Sequence, residues 1–179
     1  MSLQLPDRPA RYFIDEILLP SWDPSEAQGF DPQASLGDEA YLPVDTTINE
    51  VGSIYPSLII SYSNETPGGG GLGYDFQTSE GPGQDRNGTL VATARAQDRG
   101  DDYVGDSGTY SGQDAEDIVV TLVEHVEDIC QQNADPVGTD FRGLSSQRGP
   151  EAPDDQSENP VVRLSNCQVI YYWERYPEP

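Results

Sequence analysis

Only one stretch of this 179-residue chain repeats apolar residues with the period of a long α-helix. Between Asp114 and Gln132, residues Ala115, Ile118, Val119, Leu122, Val126 and Ile129 recur at steps of three and four. Glu116, Glu124, Glu127 and Asp128 fall on the other side, so the stretch reads as an amphipathic helix. Ser111 or Asp114 can supply its N-cap, and Asp114, Glu116 and Asp117 suit the positive end of its dipole. A lone helix of this kind must bury its apolar stripe against a sheet, which restricts the architectures open to the chain.

The strands that would make such a sheet lie on both sides of the helix. Ile54 to Ser63 is the first, with Leu58, Ile60 and Tyr62 on one face and Pro56 confining its start to an edge or a strand entry. Gly68 to Gly71 and Gly73 then form a flexible tip before the short run Tyr74 to Thr78. After a turn at Gly81-Pro82-Gly83, Gly88 to Ala96 alternates well enough for a second strand. Asp98 to Gly112 reads as a solvated loop, and Asn133 to Pro160 as another. Val161 to Arg175, rich in aromatic and β-branched residues, reads as a long final strand, bent or bulged around Ser165-Asn166. At the other terminus Pro9 to Trp22 has the spacing of a short amphipathic helix closed by Pro20, although the run Ile17-Leu18-Leu19 would also suit a strand.

Together these readings predict one α+β domain: a mostly antiparallel sheet packed by one main helix, with long acidic loops and an extended N-terminal arm. Residues 1–53 make the N-terminal segment and arm, the arm itself running from Ser21 to Gly52; 54–176 make the α+β core and 177–179 a tail.

Charge restricts where such a fold is stable. Thirty-two acidic residues stand against nine basic ones, every basic residue is arginine, and the net charge is -23. A compact fold carrying that charge repels itself in dilute buffer. In roughly molar salt the Debye length falls to about 3 Å and the repulsion fades. The composition therefore points to a salt-saturated interior. The same charge argues against gripping DNA, which needs clustered cations. No apolar run approaches the length of a membrane span, and the first residues lack the pattern of a signal peptide, so the expected setting is a cytoplasm without membrane contact.

Candidate chemical sites are few. His125, the one histidine, lies within the acidic helix and reads as a solvated or boundary residue rather than a general base. Cys130 and Cys167 read as buried small hydrophobes, with a bridge open to them only if the helix crosses that part of the sheet. Gly70 to Phe76 matches the start of a calcium-binding β-helix repeat, but one copy cannot complete such a site, and a glycine-rich hairpin tip is the better reading. Asp98, Asp101, Asp102 and Asp106 are weak metal candidates without EF-hand spacing. No catalytic constellation and no cofactor motif is present, so the chain is not expected to be an enzyme. Tyr171, Tyr172, Trp173 and Tyr176, with Trp22 and Phe30, are candidate interface residues, because aromatics are enriched where subunits meet.

The order of parts carries a resemblance. The strand through Ser57-Leu58-Ile59-Ile60-Ser61-Tyr62 leads to a glycine-rich hairpin, then to Leu90-Val91-Ala92-Thr93-Ala94. An acidic loop, the helix Asp114 to Gln132, and Val162-Arg163-Leu164 through Val169-Ile170-Tyr171-Tyr172-Trp173 complete the set. This order resembles the tail terminator, or tail-completion, family of long-tailed viruses, over roughly residues 54–176. The resemblance implies a structural virion protein of a haloarchaeal virus, assembled in the host cytoplasm. It would form a ring, usually of six, at the head-proximal end of the tail tube, ending tube growth and joining tail to neck. Its partners would be itself, the tail tube protein and the neck or connector proteins, with DNA passing through an unattractive acidic lumen. The arm at 21–52 and the insert at 143–159 are larger than that family leads one to expect. The other readings are a different head–tail connector, such as an adaptor or stopper, or a cation- or sugar-binding module.

Overall fold

A computed structural model describes residues 9–23, 56–67, 75–78, 81–97, 103–104, 109–110, 114–135, 141–149, 152–153 and 162–175. The elements in chain order are α1 (Pro9–Phe13), a π-helical turn (Ile14–Leu18), α2 (Leu19–Ser21), β1 (Ser57–Pro67), β2 (Asp75–Thr78) and β3 (Gly81–Gln97). They continue with β4 (Tyr103–Val104), β5 (Thr109–Tyr110), α3 (Ala115–Gln132), β6 (Phe141–Arg148), β7 (Ala152–Pro153) and β8 (Val162–Arg175). The expected arm, but for its first residues, lies outside the described residues.

The fold is α+β. Four antiparallel strands run in the order β1-β3-β8-β6, with short β2 beside β3 and short β7 beside β8. Helix α3 crosses one face, packing on β8, β3 and β6. Its stripe Ile118, Val119, Leu122, Val126 and Ile129 is buried together with Leu58, Ile60, Leu90, Ala92, Ala94, Val169 and Tyr171. The small residues of β3, Ala92, Ala94 and Ala96, let the helix approach the sheet closely. Asp114 is the N-cap: its carboxylate accepts from the Asp117 backbone N–H at 2.9 Å, and the Asp117 side chain accepts from the Asp114 N–H at 3.4 Å. The two residues make a reciprocal capping box.

The N-terminal segment is helical, which settles the choice left open between helix and strand. It does not stop at Pro20, however, but runs to Ser21. A proline inside a helix lacks its N–H and its ring crowds the carbonyl four residues back. Here the turn just before it is widened, with the Leu19 N–H reaching the Ile14 carbonyl five residues earlier. Ala10, Phe13, Ile14, Ile17 and Leu18 join the main core, and the Tyr12 ring meets Phe141 edge-on at 5.0 Å.

Four other expectations are corrected. The stretch from Asn133 to Pro160 is not all loop, because Phe141–Arg148 pairs with β8 as an edge strand. The turn expected at Gly81-Pro82-Gly83 lies within β3, whose Pro82 pairs with Gln77 of β2. Strand β8 carries no bulge at Ser165-Asn166 in its pairing with β3: Ser165 pairs with Ala94 and Asn166 with Thr93 in unbroken register. The Thr93 hydroxyl donates to Asn166 Oδ1 at 2.9 Å, so the polar pair fastens the register instead of breaking it. The irregularities fall elsewhere, between Tyr62 and Asn64 in β1 and between Phe141 and Gly143 in β6. A small β4–β5 hairpin also occupies part of the stretch expected as a solvated loop.

Candidate interaction surface

The two sides of the sheet differ in chemistry. On the helix side Leu90, Ala92, Ala94, Cys167, Val169, Tyr171 and Trp173 are buried. In the opposite phase of β3, Asn87, Thr89, Val91, Thr93 and Arg95 are half-buried; in β8 Asn166 and Ile170 are half-buried while Gln168 and Tyr172 are exposed. Edge strand β6 adds the exposed Ser145 and Gln147. No described helix packs on this side, although Ser57 and Ile59 at the β1 corner are buried.

What distinguishes this open face is a lack of carboxylates. None of residues 86–97, 141–148 and 162–173 is acidic, in a chain holding 32 acidic residues. Strands disfavour Asp and Glu in general, but a solvent-facing strand surface ordinarily carries some charge. By contrast, Glu116, Asp117, Glu124 and Asp128 stand exposed on α3. The result is a molecule with an acidic helix side and an opposite sheet face of Thr, Asn, Gln, Val, Ile and Tyr with Arg95. Depletion of charge together with aromatic and β-branched residues is the composition of a protein contact. Tyr172, 42% exposed, is the one exposed large hydrophobic residue among those whose burial is described.

The expected interface aromatics therefore separate. Tyr172 stays on the surface, whereas Tyr171 and Trp173 are core residues and unavailable to a partner. Tyr171 stacks on Phe141 at 4.8 Å and lies over Gly88, where a Cβ would sit 1.9 Å from the phenol ring. Trp22 is half-buried and meets the His125 ring edge-on at 4.6 Å. Tyr176 and Phe30 lie outside the described residues, as do Asp98, Asp101, Asp102 and Asp106. Among the described residues no three His, Cys, Asp or Glu side chains converge as metal ligands.

His125, expected as a solvated or boundary residue, is instead buried at 3% exposed. Its Nε2 accepts the Asp23 backbone N–H at 3.1 Å, which leaves the proton of a neutral ring on Nδ1. Two turns further along α3, Asn133 donates to the Ser21 hydroxyl at 3.3 Å. His125 and Asn133 thus fasten the end of α2 to α3, a structural role that sequence spacing could not reveal. Asp114 lies three turns from His125 on the same helix, about 16 Å away along the axis, so the two cannot act as a catalytic pair.

Cys130 and Cys167 are buried, as expected, and the bridge left open to them is not formed. Burial pushes both thiols up, Cys167 to about 12, and each also feels the Glu127 carboxylate. Such thiols are poor nucleophiles. Outside the core Arg148 meets Glu124 at 2.7 Å and Glu127 at 3.9 Å, tying edge strand β6 to the helix.

No protein-family model and no curated protein sequence matches the chain.

Proposed function

We propose that this chain is a structural virion protein of a haloarchaeal virus, a ring-forming joint at the head-proximal end of the tail tube. It ends tube growth and joins the tail to the neck. The observation that carries this reading is the stretch of sheet formed by residues 86–97, 141–148 and 162–173, which holds no carboxylate in an otherwise strongly acidic protein. A sheet surface poor in carboxylates and carrying aromatic and β-branched residues is suited to docking another protein layer. The order of strands and helix supports the same reading, because it is the order by which the chain resembles tail terminators. In this function copies join head to tail into a closed ring, probing two different lateral surfaces, while the open sheet face meets the tube or neck. The net charge of -23 lets DNA pass the ring without being held.

Negative-stain imaging of the protein with tail tubes, in multimolar salt, tests the proposal. Rings of about six subunits with an axial hole, seated at one end of the tubes, are the expected result. Tubes that stay bare and keep growing in its presence would refute it. A shift assay adds an independent check, since tight binding of duplex DNA in high salt contradicts a passive lumen.

A further inference from the structure

We infer that His125 is a pH-operated clasp: as a neutral ring it holds the end of the N-terminal segment against α3, and on taking up a proton it lets that end go. Three contacts make the clasp. The ring Nε2 accepts the Asp23 backbone N–H at 3.1 Å, and the Trp22 indole meets the ring edge-on at 4.6 Å. Further along α3, Asn133 donates to the Ser21 hydroxyl at 3.3 Å. Only the imidazole among these groups changes its proton count near neutrality.

An imidazolium carries N–H on both nitrogens and has no acceptor left. A proton on Nε2 sets two donors against each other and places a charge on a side chain that is 3% exposed. The ring sheds both penalties by releasing Trp22 and Asp23 to water. Linkage gives the sign: the released form binds one proton more than the clasped form. Clasping is therefore complete above the ordinary histidine value of about 6.5 and is lost as pH falls below it. Each further unit of pH shifts the balance toward release by up to about tenfold.

The release is local, because the apolar anchors upstream do not titrate. Ala10, Phe13, Ile14, Ile17 and Leu18 stay in the main core, and Tyr12 stays against Phe141. Charges on the neighbouring elements act on the same equilibrium. On α3, Glu124 and Asp128 are exposed and Glu127 is half-buried; in the N-terminal segment Asp15, Glu16 and Asp23 are exposed. From the sheet, Arg148 reaches Glu124 at 2.7 Å. Carboxylates favour the imidazolium whether the clasp is open or closed, and in roughly molar salt their fields reach only about 3 Å. The short hydrogen bond from Asp23 then decides between the two forms. The clasp does not depend on the virion reading.

Tryptophan labelled with fluorine reports the clasp, because the chain has two tryptophans and one histidine. Trp22 lies in the clasp, while Trp173 is buried in β8 and serves as the internal control. Fluorine NMR of the full chain in about 3 M potassium chloride is followed from about pH 8 to about pH 5, with the imidazole signal alongside. The Trp22 signal is expected to gain the heavy-water isotope shift of a solvated indole with the same midpoint as the imidazole, while the Trp173 signal stays unchanged. His125→Gln keeps an acceptor for the Asp23 N–H but has no titrating ring, so its Trp22 should stay clasped throughout. A Trp22 that stays unsolvated while the ring titrates, that is released together with Trp173, or that is released equally in His125→Gln overturns the clasp. So does a ring that takes up no proton before the fold is lost.

Discussion

Gly88 is the position where a single missing atom decides the packing. Tyr171, its register partner on β8, lays its ring across the space a Cβ would fill, 1.9 Å from the nearest ring carbon. The ring cannot swing aside cheaply, because it is fully buried and stacked on Phe141 at 4.8 Å. Gly88→Ala should therefore destabilise the fold by about 1–3 kcal/mol, measured by urea unfolding in multimolar salt. An unchanged midpoint would show that the Tyr171 ring is not fixed. The two thiols make a second residue-level prediction. Their folded values lie above the ordinary 9.0, Cys167 at about 12. The unfolded chain then loses these protons first as pH rises, so their contribution is complete below pH 9 and is lost toward pH 12. Cys130→Ala/Cys167→Ala should flatten the alkaline limb of stability against pH, and neither native thiol should react with a maleimide until the protein unfolds.

At the scale of elements, helix α3 was the most legible part of the sequence, since its apolar period, its acidic first turn and its cap all agree. The capping box makes that agreement testable. Asp114→Ala should cost about 1 kcal/mol, and Asp114→Asn much less, because the amide oxygen still accepts from the Asp117 N–H. The comparison belongs in multimolar salt, where dipole–charge attraction is screened and the hydrogen bond remains. Equal losses in both variants would assign the effect to charge. Strand β6 was illegible for a physical reason. As an edge strand it gives the core only Phe141 and Leu144, and the irregularity between Phe141 and Gly143 shifts their spacing from two to three. Polar Ser165-Asn166 looked like a break in β8 because the hydrogen bond from Thr93 comes from a strand remote in sequence. Pro20 looked like a helix stop because a widened turn that accommodates it leaves no mark in the spacing of apolar residues. The open face was visible in principle. Absence of Asp and Glu from 86–97 and 162–173 can be counted, but only pairing of the strands shows that the gaps make one surface.

For the whole molecule the dominant quantity is charge, and it can be separated from every local contact. If self-repulsion limits the fold, then removing charge should stabilise it by either of two routes. Salt screens the repulsion, so the melting temperature should rise steeply from about 0.1 M to above 1 M potassium chloride as the Debye length falls from about 10 Å to about 3 Å. Acid lowers the charge itself: at low salt the melting temperature should also rise as pH falls from neutrality toward the isoelectric point near 4.1. Most proteins do the opposite over this interval, because their paired carboxylates are stabilising. In multimolar salt the acid effect should shrink or change sign, since there is little repulsion left to relieve. The two routes must therefore substitute for one another, and a matrix of melting temperatures over pH and salt shows whether they do. Stabilisation by salt that is equally large at pH 5 and pH 8 would mean that salt acts by strengthening burial of apolar surface rather than by screening. In that case self-repulsion would not limit the fold, and the absence of Asp and Glu from residues 86–97, 141–148 and 162–173 would reflect strand packing alone.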